Sequence, residues 1–144
     1  MTKDPLLGPV VALVAWTLVM LVWMAVVRGL ATKKAGIDIT KSRGGRGQDL
    51  EGVLPAEANW PAHNYTHLHE QPTIFYAIVI SLILMGASYS LNVWLAWAYV
   101  GLRILHSIVQ VTYNRVAVRF PLFALSTLCL MALTVHAGMQ LIQG

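Results

Sequence analysis

The chain has 144 residues, of which 57% are hydrophobic and 11% are charged, and its formal net charge is +4. Because soluble domains carry about 25% charged residues, this composition excludes a soluble globular domain and predicts an integral membrane protein.

Four long apolar stretches follow one another along the chain. A transmembrane helix needs about 20 apolar residues, and we predict spans at about 7–27, 66–87, 91–112 and 119–141. The first stretch contains no charged residue and closes on Arg28. It is too long for the apolar region of a signal peptide and lacks a cleavage site, so we expect it to be retained. The sequence predicts one all-α domain over 1–144, a bundle of four transmembrane helices.

The Lys and Arg residues predict how the chain is oriented. Six of the ten lie between Arg28 and Arg46, two more are Arg115 and Arg119, and the connection around 88–92 has none. By the positive-inside rule, the loops 28–62 and 113–118 face the cytoplasm and both termini lie outside. The positive charge is therefore a topology signal, and we expect no nucleic-acid partner. The loop 28–62 is expected to lie along the acidic lipid surface.

Two polar stripes interrupt the apolar spans. On the second span, residues fall at steps of 4, 3 and 3: His63, His67, Glu70 and Thr73. On the third span the steps are 3, 4 and 4: Arg103, His106, Gln110 and Asn114. Such steps keep one face of an α-helix. Since short connections make consecutive helices antiparallel neighbours, we predict that the two stripes meet in the cytoplasmic half of the membrane.

Arg103 needs a partner in the membrane. It cannot lose its proton, and a charge at mid-depth costs about 2.5–3.5 kcal/mol on insertion scales. Glu70 is the only acidic residue in the four predicted spans. We therefore predict a Glu70–Arg103 pair, within one subunit or across a subunit contact. The same pair could instead serve only to fix the helix register.

A metal site is the other interpretation of the histidines. His63, His67 and Glu70 have the spacing to hold zinc or ferrous iron on one helix face, and His106 could add a ligand. An Arg103 paired with Glu70 would compete for the carboxylate and repel the cation, so we predict no metal. Cys129 is the only cysteine, which excludes a disulfide framework and a thiolate metal site.

Two segments carry a family resemblance: NYTHLHEQPTIFY at 64–76, and AYVGLRILHS at 98–107 continuing to Arg119. They resemble the membrane-associated proteins in eicosanoid and glutathione metabolism (MAPEG), most closely the bacterial branch without an established activity. The resemblance covers nearly the whole chain and implies a four-helix subunit of a homotrimer in the bacterial inner membrane. In catalytic members, glutathione binds between subunits near the cytoplasmic side, and lipophilic electrophiles or peroxides approach from the bilayer.

The resemblance also assigns roles to individual residues. Glu70 matches the glutamate of the second-helix motif, whose arginine and asparagine positions are His63 and His67. Arg103, followed by His106, matches the third-helix arginine. These five residues are implied to bind glutathione. The catalytic residue is implied to be Arg119, which matches the arginine proposed to hold the glutathione thiolate.

The chain departs from the family pattern at positions that contact glutathione: Ala31, Gln110, Phe120 and Phe123. Two functions therefore stay open. One is a glutathione-dependent transferase or peroxidase that acts on a lipophilic small molecule. The other is a non-catalytic membrane protein of the same fold that binds a lipid or a protein partner.

Overall fold

The computed structural model describes residues 3–143, and within that range the fold is helical and has no β-strand. The helices are α1 (Leu7–Lys34), α2 (Ala56–His67), α3 (Gln71–Leu84), α4 (Ser90–Thr112) and α5 (Val116–Gln143). Two short 3₁₀ turns, Ile39–Lys41 and Gly47–Leu50, lie in the connection after α1. The all-α class predicted from the sequence is confirmed.

Helices α1 and α5 are long and apolar enough to cross a membrane. Each has 28 residues, a length of about 42 Å at 1.5 Å per residue, which exceeds the hydrocarbon thickness of about 30 Å. Many of their apolar side chains point outward and are more than half exposed, including Val11, Leu18, Leu128 and Val135. Broad exposed apolar faces of this kind are typical of proteins that contact lipid or another chain.

The predicted second span is two helices rather than one. Helix α2 ends at His67, residues 68–70 form a turn, and α3 starts at Gln71. The reason is Pro72, which lacks a backbone N–H and whose ring would clash with the carbonyl four residues earlier in a continuous helix. The prediction that His63, His67, Glu70 and Thr73 share one helix face is therefore wrong.

Helix α4 is central to the packing, because it contacts α1, α2 and α5. The short connection 113–115 makes α4 and α5 antiparallel neighbours. Helix α3 packs on α5, and its Phe75 stacks on Tyr99 of α4 with ring centroids 4.4 Å apart. Both rings are fully buried with Leu82 and Leu133. This core fixes the position of the polar residues on α4.

The turn between α4 and α5 depends on Asn114, whose φ is +50°. Asparagine adopts this left-handed conformation more readily than most residues. Its backbone N–H donates to the carbonyl of Val109 at 2.8 Å, which closes the end of α4. The turn brings the first residues of α5 back beside the end of α4.

Candidate functional site

Arg103 lies on α4 and is 1% exposed. Its Nη2 donates to the backbone oxygen of His67 at 3.1 Å. The ring of Phe123 on α5 faces the guanidinium, with Cζ 5.7 Å from the ring centroid. The Nε and Nη1 atoms are buried and have no hydrogen-bond partner within residues 3–143. Arg103 is thus a buried cation with donors left for an anion or another acceptor.

The predicted Glu70–Arg103 pair does not form within one subunit. Glu70 instead contacts His67, with its Oε2 2.8 Å from Nδ1. The physical reason is the break before α3, which makes Glu70 the residue that precedes that helix. From there the carboxylate reaches back to α2 and stays exposed, with 58% of the side chain accessible.

Arg103 binds the end of α2 rather than a carboxylate. His67 is the last residue of α2, and the last carbonyls of a helix have no partner inside it. The oxygen of His67 accepts from Arg103 and also from the backbone N–H of Glu70 at 3.3 Å. A cation at a helix C-terminus interacts favourably with the helix dipole. Arg103 therefore stabilises the interruption that separates α2 from α3.

His67 joins this contact to the polar stripe of α4. Its ring meets the ring of His106 edge-on, with centroids 6.1 Å apart. His106 is 5% exposed, and its ring centroid lies 6.3 Å from that of Phe123. One turn further along α4, Gln110 is 1% exposed and its Oε1 has no partner within residues 3–143. The structure thus brings together three predicted residues, His67, Arg103 and His106.

A cavity of about 450 Å³ is bounded by α1, the turn Gly47–Leu50 and α2. We call it the charged cavity, because its lining includes Arg28, Glu51, His63, His67 and Glu70. His63 faces Glu51 across it, with Nε2 2.8 Å from Oε1. Three of the predicted binding residues therefore share one cavity, and His67 links that cavity to the buried Arg103.

Arg119 lies apart from the charged cavity. It sits in the first turn of α5, where its Nη1 donates to the side-chain oxygen of Asn114 at 2.7 Å. Its side chain is partly buried. The backbone N–H groups at the start of a helix add positive potential there. A single subunit therefore keeps the predicted catalytic arginine outside the cavity that holds His63, His67 and Glu70.

Comparison with known proteins identifies the family. A model of the MAPEG family matches residues 6–139, nearly the whole chain. The chain belongs to the MAPEG family. No curated protein and no solved structure matches it at a significant level. Family membership, together with the apolar helices α1 and α5, supports a MAPEG-like membrane protein.

Sequence reasoning missed Asn64 and Ser107, which form a second polar contact between α2 and α4 of this MAPEG chain. The Ser107 hydroxyl donates to the Asn64 side-chain oxygen at 2.9 Å, and both residues are buried. Asn64 lies three residues before His67, and Ser107 lies four residues after Arg103. The helical spacing that identified the two stripes therefore contained the signal for both residues.

Arg28 and Glu51 were also missed as site residues. Arg28 was interpreted only as an orientation signal, yet it lines the charged cavity and its Nη2 donates to the side-chain oxygen of Asn59 at 3.3 Å. Its Nε is buried without a partner within residues 3–143. Gly47 lies against the guanidinium, so a Cβ at that position would displace the end of the Arg28 side chain. No sequence motif marks this contact between α1 and the loop.

Two of the histidines form separate pairs with carboxylates. His63 contacts Glu51 and His67 contacts Glu70. Within residues 3–143, no three His, Cys, Asp and Glu side chains come close enough together to hold a metal ion.

Proposed function

We propose that this MAPEG protein is a glutathione-dependent enzyme of the bacterial inner membrane, acting as a transferase or peroxidase on lipophilic electrophiles. The observation that carries the proposal is the lining of the charged cavity. Glutathione has two carboxylates, an ammonium group and a thiol. Arg28, His63 and His67 supply donors for carboxylates, and Glu51 and Glu70 supply acceptors for an ammonium group.

Arg103 extends this binding site in the proposal. Its Nε and Nη1 atoms have no hydrogen-bond partner within residues 3–143, and the ring of His106 contacts the ring of His67, which lines the charged cavity. A buried donor without a partner is costly to the folded protein, and an anionic ligand that reached these atoms would remove that cost. Arg103 therefore gives the site a fixed positive charge.

The proposed assembly is a homotrimer in which each subunit crosses the membrane four times. The α2–α3 unit and α4 supply the second and third spans, and the loops 28–62 and 113–118 lie on the cytoplasmic side. The start of α1 and the end of α5 lie on the outer side of the membrane. The exposed apolar faces of α1 and α5 support burial in lipid or against another subunit. In such an assembly Arg119 of one subunit would complete the charged cavity of its neighbour.

Arg119 is the proposed activator of the thiol. A free thiol has a pKa of about 8.5, and a neighbouring cation lowers that pKa. The thiol loses its proton to solvent, and the thiolate sulfur attacks an electrophilic carbon to form a C–S bond as the leaving group departs with the electron pair. With a peroxide, the sulfur attacks the terminal oxygen, the O–O bond breaks, and the alkoxide takes a proton from solvent and leaves as an alcohol. A second glutathione then reduces the sulfenic product to the disulfide and water.

The second candidate is a non-catalytic MAPEG protein that binds a lipid or a protein partner. Phe120 favours it, because this large apolar side chain is 64% exposed beside Arg119. Phe123 also covers the guanidinium of Arg103. Apolar groups at these positions suit an acyl chain or an apolar partner surface better than a hydrophilic tripeptide.

A titration with glutathione tests the proposal. Thiolate formation is followed by ultraviolet absorbance in the detergent-solubilised protein. We expect saturable absorbance in the wild type, none in Arg119→Ala, and wild-type behaviour in Arg115→Ala, which removes an exposed arginine from the same connection. If well-folded wild-type protein forms no thiolate at millimolar glutathione, the glutathione-dependent enzyme is excluded and the non-catalytic candidate remains.

A further inference from the structure

A second polar cavity lies at the opposite end of α4. It has a volume of about 390 Å³ and is bounded by the connection between α3 and α4, the start of α4 and the end of α5. We call it the neutral cavity, and its polar lining is Tyr89, Asn92, His136, Gln140 and Gln143. Asn92 and His106 are 14 residues apart on α4, or about 21 Å. The residues that line the two cavities do not overlap, so the cavities are separate sites.

Asn92 fixes the orientation of hydrogen bonds in the neutral cavity. It is 2% exposed, and its Nδ2 donates to the backbone oxygen of Ala87 at 2.9 Å. The carboxamide therefore cannot be flipped without placing two oxygens against each other. Its Oδ1 lies 2.6 Å from Nδ1 of His136. Because that oxygen can only accept, Nδ1 must carry a proton.

The protonated Nδ1 determines what His136 offers to a ligand. A neutral imidazole with a proton on Nδ1 has a lone pair on Nε2. That Nε2 has no hydrogen-bond partner within residues 3–143, and the side chain lines the cavity. In this neutral form, His136 gives the cavity a hydrogen-bond acceptor of fixed orientation for a hydroxyl donor.

The neutral cavity is also lined by a hydrogen-bond donor. The hydroxyl of Tyr89 donates to Oε1 of Gln140 at 3.4 Å, which leaves the amide N–H₂ of Gln140 as a donor. Leu91 and Met139 supply apolar surface. Among the described residues that line this cavity there is no Lys, Arg, Asp or Glu. A charged headgroup would find no counterion here, whereas an uncharged hydroxyl group would find both an acceptor and a donor.

We propose that the neutral cavity binds the hydroxyl group of an uncharged, membrane-soluble molecule, through Nε2 of His136 and the amide of Gln140. The volume is within the range of about 300–1,000 Å³ found for small-molecule sites. The position near the end of the apolar helix α5 is where the polar end of an amphiphile lies. Two chemical sources have this hydroxyl: an aliphatic alcohol, as in a diacylglycerol-type lipid, and a phenolic group, as in a quinol.

Nuclear magnetic resonance of nitrogen-15-labelled histidines in the detergent-solubilised full-length chain tests the proposal. The probes are dioctanoylglycerol and a decyl-substituted benzoquinol, each compared with a matched analogue without the hydroxyl donor, a methyl ether and the corresponding quinone. We expect a saturable shift of the His136 Nε2 resonance with at least one hydroxylated probe. Its analogue should bind at least tenfold more weakly. The probe that shifts the resonance identifies the source.

Two variants of the neutral cavity and one control variant distinguish loss of binding from loss of folding. His136→Phe removes the acceptor, and Met139→Trp fills the cavity while leaving Asn92 and His136 paired. We expect both to abolish the rise in melting temperature that the bound probe gives to the wild type. His69→Phe, which changes an exposed histidine outside both cavities, should keep that rise.

Three results would overturn the proposal. The first is the absence of a saturable shift with either hydroxylated probe, as expected if a second copy of the chain covers the cavity. The second is equal affinity for a probe and its analogue. The third is a probe that stabilises the folded Met139→Trp variant as much as the wild type.

Discussion

The two ends of α4 differ in how completely their polar groups are satisfied. At the end near the charged cavity, the buried polar atoms without a hydrogen-bond partner within residues 3–143 include atoms of Arg28, Asn64, Arg103 and Gln110. At the other end, Asn92, His136 and Tyr89 all have partners. Unsatisfied buried groups are rare in folded proteins. The contrast indicates that the charged end is built to be completed by a ligand or another subunit. At the neutral end, the hydrogen bonds between chain segments are already made, and Nε2 of His136 remains available to a ligand.

Because the two ends of α4 differ in this way, mutations at one end should mainly affect stability and mutations at the other should mainly affect binding. At the neutral end each hydrogen bond closes a contact between chain segments, so losing one leaves a buried group unpaired. At the charged end the unpartnered atoms already cost free energy, so removing them costs little. Mutations at the two ends should therefore affect different measurements.

The largest effect should come from the core that both ends share. Phe75 is fully buried and stacked on Tyr99. Phe75→Ala leaves a cavity between α3 and α4, and such changes cost about 3–5 kcal/mol. We expect a loss of that size in the free energy of unfolding in detergent. Ile74→Ala is the control, because Ile74 is 56% exposed on the same helix. Equal losses in the two variants would contradict the packing described.

The next effect should appear at the charged end, in binding rather than stability. Arg103→Met removes one hydrogen bond to His67 and two buried nitrogens that have no partner within residues 3–143. The cost of burying the charge is relieved, which offsets the lost hydrogen bond. We expect the free energy of unfolding to change by less than about 1 kcal/mol. Glutathione affinity should fall about 10- to 100-fold, as expected for a lost hydrogen bond from a charged group.

Calorimetric titration with glutathione and chemical unfolding together check this prediction. Arg103→Lys is the matched control, because it keeps the positive charge but loses the planar guanidinium group with its several fixed N–H donors. It should bind with intermediate affinity. A large loss of stability in Arg103→Met with unchanged glutathione affinity would make Arg103 a structural residue that only closes the end of α2.

The sequence could predict the fold class, the family and the faces of α4, because these depend on composition and helical spacing. It placed His67, Arg103 and His106 together correctly. It could not predict the partner of Arg103, because Pro72 interrupts the helix and turns Glu70 toward His67. Spacing arguments assume one continuous helix. They fail here because the proline in the first turn of α3 interrupts the helix.

The two cavities were not predictable from the sequence, and the reason differs from that for Arg103. In the charged cavity a loop lies against Arg28, with Gly47 beside the guanidinium, and loop paths do not follow a periodic pattern. The neutral cavity joins Asn92 to His136, which are 44 residues apart. His136 is the only histidine of α5, so no spacing pattern marked it. Contacts of this kind arise from packing rather than from local spacing.

A smaller loss of stability should come from the neutral end. Asn92→Leu leaves the oxygen of Ala87 and Nδ1 of His136 without partners. We expect about 1–3 kcal/mol lower free energy of unfolding. In a double-mutant cycle with His136→Phe, the combined loss should be about 1 kcal/mol less than the sum of the single losses, because the two residues share a hydrogen bond. Additive losses would argue against that bond.

The smallest effect should come from the pair between His63 and Glu51. Although the two atoms are 2.8 Å apart, the side chains are 45% and 50% exposed, and exposed pairs contribute about 0–1 kcal/mol. We expect Glu51→Gln to change the free energy of unfolding by less than about 0.5 kcal/mol, in low and high salt alike. Asp49→Asn is the control, because this carboxylate lies two residues earlier and accepts from the backbone N–H of Arg46 rather than contacting a histidine. A loss above about 1 kcal/mol in Glu51→Gln alone would show a firmly held loop. The charged cavity would then be rigid before any ligand arrives, and its contrast with the neutral cavity would lie in charge alone.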